Sequence, residues 1–112
     1  MEIDKEQVEG TMVLSVQGSI DTLTAGDFSG LIENEILAGH NRVVLNMSGV
    51  DFMSSAGLRA ILSVLKHSRQ QGGDLYIAAA SPGVDKILNM SGFTSILKTF
   101  ATVDQAIAEF FA

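Results

Sequence analysis

The chain has 112 residues, 13 acidic against 7 basic for a formal net charge of -6, and neither cysteine nor tryptophan. With 46% hydrophobic and 18% charged residues it can bury one sizeable core, so residues 1–112 are expected to form a single compact domain. The missing cysteines exclude disulfides, thiolate metal sites and cysteine nucleophiles, and the excess acid repels phosphate backbones, which argues against nucleic-acid binding.

Alternation marks the first strands. Met12, Leu14 and Val16 point one way and Thr11, Ser15 and Gln17 the other, with Glu9-Gly10 as the turn from a partner strand carrying Ile3 and Val8. Gly18-Ser19-Ile20-Asp21 ends the second strand, and Thr22 or Thr24 is expected to cap a helix over Leu23–Ala38. Phe28, Leu31, Ile32 and Ile36 form its apolar stripe, and Gly39 supplies a left-handed stop. Arg42–Met47 then reads as a strand covered on both faces.

After a connection from Ser48 to Met53, the sequence Ser54-Ser55-Ala56-Gly57 opens a second helix. Leu58, Ile61, Leu62 and Leu65 give its stripe and Gly72-Gly73 its end. Leu75–Ala79 reads as another buried strand. Ser81 with Pro82 starts a third helix that stops at Ser91-Gly92. Ile96-Leu97 is a short strand candidate, and Thr102 with Gln105 forms a capping box for a last helix bearing Val103, Ala106, Ile107 and Phe110. This order predicts an α/β fold: a mixed, mostly parallel sheet of about four or five strands with about four helices.

Apolar runs such as Val43-Val44-Leu45 fall far short of the roughly 20 residues of a spanning helix. Met1-Glu2-Ile3-Asp4-Lys5-Glu6 has neither the basic start nor the apolar stretch of a secretory signal. The expectation from these features is a cytoplasmic monomer without membrane insertion. The two histidines, His40 and His67, lack metal-ligand spacing, so neither a metal nor a cofactor is expected. Ser55-Ala56-Gly57 lacks the glycine that precedes the serine of a nucleophile elbow, and no glycine-rich phosphate loop is present. Catalysis by this chain is not expected.

What stands out is Asp51-Phe52-Met53-Ser54-Ser55-Ala56-Gly57-Leu58, two hydroxyls where a strand gives way to a helix. On the residues alone, one serine can cap the helix and nothing further need follow. Alternatively, small Ala56 and Gly57 leave the serines open, and a phosphate there would meet free amides at the positive end of the helix. Arg59, one turn on, could lean back toward it. Met53 and Phe52 are expected in the core or on the rim, and Leu58 packed inward.

Val50 to Leu58 resembles the phosphorylation loop of bacterial anti-sigma factor antagonists, the STAS-domain proteins. Gly18-Ser19-Ile20-Asp21, Gln71-Gly72-Gly73-Asp74-Leu75 and Asn89-Met90-Ser91-Gly92-Phe93 are similar to three further family motifs, in order and at family spacing, so the likeness covers essentially the whole chain. The resemblance implies that Ser55 is the serine a partner kinase phosphorylates and that Asp21 lies near the same face. Ser54 stands where the family has aspartate and Ala56 where it has a second hydroxyl, which makes Ser54 a rival acceptor. The partner-binding residues implied are Asp21, Ser54, Ser55, Ala56, Gly57 and Arg59.

The function implied is that of an anti-sigma factor antagonist. Unphosphorylated, it binds an anti-sigma factor that is also a serine kinase of the histidine-kinase-like ATPase type, and so frees a sigma factor. Phosphorylation stops the binding and a PP2C-type phosphatase resets it. The alternative is a fixed, unphosphorylated STAS subunit of a lipid or anion transport system; a third, nucleotide-hydrolysing reading has no phosphate loop to support it.

Overall fold

The computed structural model describes residues 1–112. Strands β1 (Glu2–Val8) and β2 (Thr11–Ile20) pair antiparallel. Their two connecting residues both take positive φ, 51° at Glu9 and 78° at Gly10, the sense of turn that suits the twist of a hairpin. There follow α1 (Ala25–Leu37), β3 (Arg42–Met53), α2 (Ser55–Gln70), β4 (Asp74–Ala78), α3 (Pro82–Met90), β5 (Thr99–Phe100) and α4 (Val103–Glu109). The strands lie side by side in chain order, and every pair after the first is parallel. The expected mixed sheet with four helices is therefore present.

Crossovers of one hand place α1, α2 and α3 on the same face. There Phe28, Ile32, Ile61, Val64, Val84 and Leu88 close over Leu14, Val43 and Leu45. The other face is covered by α4, whose Ala106 and Ile107 meet Val13, Val44 and Tyr76. β2 therefore contributes core residues to both faces of the sheet. Thr11 is fully buried and its hydroxyl has no hydrogen-bond partner. Leaving such a group unsatisfied costs about 1 kcal/mol or more. Thr11→Val, which keeps the shape and removes the hydroxyl, is expected to raise stability by about 1 kcal/mol; a urea midpoint that stays put or falls would refute it.

Four element boundaries differ from expectation. β3 was expected to stop at Met47 but continues to Met53, through register shifts against β2 between Ser15 and Gln17 and between Gly18 and Ser19. A Cβ at Gly49 would stand 2.8 Å from Gln17 Cγ and 2.9 Å from the Val16 carbonyl oxygen. The bare backbone there lets the irregular ladder stay closed, and its polar, glycine-containing sequence is what resembled a loop.

The first helix starts at Ala25 rather than Leu23, and neither Thr22 nor Thr24 caps it with its side chain. The Thr24 hydroxyl instead donates to the Ser19 carbonyl at 2.8 Å. Asp21 Oδ1 accepts from the amides of Leu23 at 2.9 Å and Thr24 at 3.2 Å, bringing an acid to the positive helix end. Gly39, at φ 101°, ends the helix as expected.

Ile96-Leu97 is not a strand. Left-handed Gly92 opens a single 3-10 turn, Phe93–Ser95, which delays the chain. Pairing with β4 begins only where the Ile77 amide donates to the Lys98 carbonyl, at 3.1 Å, and Leu97 is a core residue before it. The preceding strand ends at Ala78 because Ala79, expected within it, turns to φ 58°.

One carboxylate is buried on the helical face. Glu35 of α1 accepts from Lys5 Nζ of β1 at 2.8 Å, and His40 Nδ1 lies 3.1 Å from its other oxygen. The Lys5 hydrogen bond holds the Glu35 carboxyl below its ordinary value of 4.5, with help from His40 and against the opposing effect of burial. Folding thus favours the charged form, and its contribution is complete above the unfolded value and lost as pH falls through the lower folded one. Urea midpoints measured from neutral pH downward should fall more steeply for the wild type than for Glu35→Gln at pH below that ordinary value; parallel profiles would rule the ion pair out.

Candidate functional site

At the carboxyl ends of β2 and β3 the chain passes into α2 across a tight junction. The Ser54 amide donates to the Ile20 carbonyl at 3.0 Å, tying the helix start to the end of β2. Ser54 is extended, at φ -91° and ψ 176°, and its Oγ accepts from the Gly57 amide at 3.4 Å, so it is the N-cap. Ser55 is the first helical residue and is exposed, whereas Ser54 is half-buried. The capping role and the exposed hydroxyl thus fall on different serines.

Gly57 is buried, although it was expected on the partner face. A Cβ there would stand 2.7 Å from the Ile20 carbonyl oxygen, 2.7 Å from Met53 Cγ and 3.0 Å from Ile20 Cγ2. Glycine is needed to seat the first turn of α2 against the strand ends, and the openness of Ser55 comes from its own outward position. Ala56 is half-buried beside it.

Asp21 directly follows Ile20, which places it at the same junction. Its Oδ1 braces the loop into α1, as described above, and the same atom lies 3.3 Å from the Thr24 hydroxyl. Arg59 is exposed and lines the groove between α1 and α2 beside Glu33. It forms no ion pair with Glu or Asp. Met53 is 1% exposed and belongs to the core, Phe52 is 52% exposed and belongs to the rim, and half-buried Leu58 packs against the core.

Sequence reasoning missed Leu23. Read as the first residue of a helix, it stands in the loop before α1 and is 89% exposed, its amide held by Asp21. The available signal was the acid two residues ahead, which can bond the following amides and hold a short turn open. Exposed Leu23 follows the end of β2, and exposed Phe52, paired in register beside Ser19, lies one residue before the end of β3.

The STAS domain family profile matches residues 2–106. The chain belongs to the STAS domain family. Over 110 residues it is 31% identical to BtrV of Bordetella bronchiseptica, provisionally named an anti-sigma factor antagonist, spanning 98% of this chain and 95% of that protein. It is 27% identical over 111 residues to the anti-sigma F factor antagonist of Paenibacillus polymyxa, spanning 97% and 94%. A crystal structure from Thermotoga maritima, of a chain provisionally named in the same way, has a TM-score of 0.93 at 22% identity over 98% of this chain and 95% of that one. That last likeness is one of fold. These STAS relatives are named for regulation through binding rather than for catalysis. No helix of this STAS domain is long and apolar enough to cross a membrane.

Proposed function

We propose that this STAS domain is an anti-sigma factor antagonist controlled at Ser55. Unmodified, it docks an anti-sigma factor through the junction formed by Asp21, Ser54, Ser55 and Ala56, with Leu23 and Phe52 as apolar contacts on the rim. Gly57 sets the height of the helix beneath them. The partner is a serine kinase of the histidine-kinase-like ATPase type: it transfers the γ-phosphoryl group of ATP to Ser55 Oγ, ADP leaves, and the hydroxyl proton passes to a base of the kinase. A PP2C-type phosphatase restores the hydroxyl.

The observation that carries this reading is the exposed Ser55 at the first position of α2, beside a different serine that does the capping. A phosphate at that position would face first-turn amides that have no partner within the helix and the positive end of its dipole. The folded domain therefore tolerates the modification, and the added charge acts on the partner. Ser54 is the weaker acceptor, because modifying it would remove the cap. The names of the two curated relatives agree with an anti-sigma factor as the partner.

The test is a pull-down from native lysate with wild-type and Ser55→Asp baits, bound proteins being identified by mass spectrometry. An ATPase-type kinase recovered by the wild type and lost with Ser55→Asp supports the switch. Recovery of the same transport subunits by both baits would instead favour the fixed-subunit role.

A further inference from the structure

The α2 helix is charged unlike the rest of the chain. Over Ser55–Gln70 it carries Arg59, Lys66 and Arg69 and no acid, in a chain of net charge -6. Arg69 is occupied by Asp74 at 3.0 Å and by the Ile96 carbonyl, and Lys5 and Lys98 hold Glu35 and Glu109. Arg59 and Lys66 enter no ion pair. Together with Leu62, Ser63 and Gln70 they line an open groove of about 590 Å³, to which α1 contributes Glu33. Arg59, Ser63, Lys66 and Gln70 recur at three- and four-residue steps, so they form one stripe along the helix. Leu62 is the groove's one apolar residue.

We infer that this groove docks an acidic amphipathic helix of a protein partner. Arg59 and Lys66 are two helical turns apart, roughly 10 Å, which matches carboxylates seven residues apart on a helix running along the groove. An apolar side chain between them would rest on Leu62. Glu33 disfavours acid at its own position and so orients the occupant. Nucleic acid and anionic membranes fit less well, because their extended negative charge would meet the net charge of the whole chain, whereas a short helix meets the stripe alone. Docking here needs no modification of Ser55.

The probe is a fluorescein-labelled helical peptide of alanine and glutamine with two glutamates seven residues apart and one leucine between them, followed by anisotropy. Wild type is expected to bind it, with affinity weakened about tenfold by the double substitution Arg59→Glu and Lys66→Glu and by added salt. Glu33→Gln should tighten binding about threefold by removing the one repulsive group, a gain that misfolding cannot produce. Backbone amide shifts on titration should centre on the groove between α1 and α2. No binding by the wild type, equal binding by the double variant, no gain with Glu33→Gln, or stronger retention on phosphatidylserine vesicles or duplex DNA would each overturn the assignment. Ser55-dependent capture of a kinase is read separately, by comparing wild-type and Ser55→Asp baits that both keep Arg59 and Lys66, so the two readings fail separately.

Discussion

Phosphorylation of Ser55 is expected to lower the affinity of this domain for its anti-sigma partner about a thousandfold while leaving the free domain at least as stable. In the free domain the phosphate sits in water at the start of α2, near amides and a helix end that favour negative charge. In the complex the same group would be pressed into an interface centred on Ser54, Ser55 and Ala56, where an unpaired near-dianion loses its hydration. Desolvating such a charge costs several kcal/mol, and about 4 kcal/mol corresponds to the thousandfold stated. Ser55→Ala should bind as the unmodified protein does. Ser55→Asp, with a smaller and singly charged group, should fall between. Calorimetric titration of the purified kinase with the three forms reads these affinities directly. A loss below about tenfold for the phosphorylated protein would mean that the interface accommodates the charge, and phosphate found on Ser54 would move the control point. Ser54→Ala separates the roles of the two serines: it should cost about 1 kcal/mol of stability through the lost cap and leave Ser55 open to modification.

The elements most legible in the sequence were those whose apolar period and end signals agree. Phe28, Ile32 and Ile36 with Gly39, and Thr102 with Gln105, specify α1 and the start of α4 by local chemistry, and the structure has both features. The misread boundaries depend on contacts distant in sequence. The second half of β3 is a strand because a bulged β2 lies beside it, and nothing in Ser48-Gly49-Val50-Asp51 announces that neighbour. The second cover of β2, at Val13, comes from α4, which arrives at the end of the chain. β5 is placed by its ladder with β4, and its own two residues are too few to show a period. At the junction, the pair Ser54-Ser55 drew attention from sequence, but their division of labour follows from the turn geometry. The position of Leu23 outside the helix depends on the Asp21 carboxylate taking amides that a threonine was expected to take.

Gly57→Ala is expected to destabilise the domain by about 1–2 kcal/mol, although alanine is the better helix former by up to about 1 kcal/mol. The reason lies in what the new methyl group would meet. Two of its nearest neighbours would be the Ile20 carbonyl oxygen and Met53 Cγ, each at 2.7 Å, well inside van der Waals contact. The carbonyl cannot simply turn away, because it accepts the Ser54 amide at 3.0 Å and so holds the cap in place. Met53 is 1% exposed, which leaves its side chain little room to retreat. Relief must come from lifting the first turn of α2 off the strand ends, and that motion carries Ser55 with it. Partner affinity should therefore fall together with stability. Gly30→Ala in α1 is the matched control, since a Cβ at Gly30 would meet nothing within 4 Å. It receives the same gain in helix propensity without the clash, and its urea midpoint should rise while that of Gly57→Ala drops. Two variants equally stable would show that the seat of α2 on Ile20 yields easily, and the geometry of Ser55 would then not depend on a glycine at position 57.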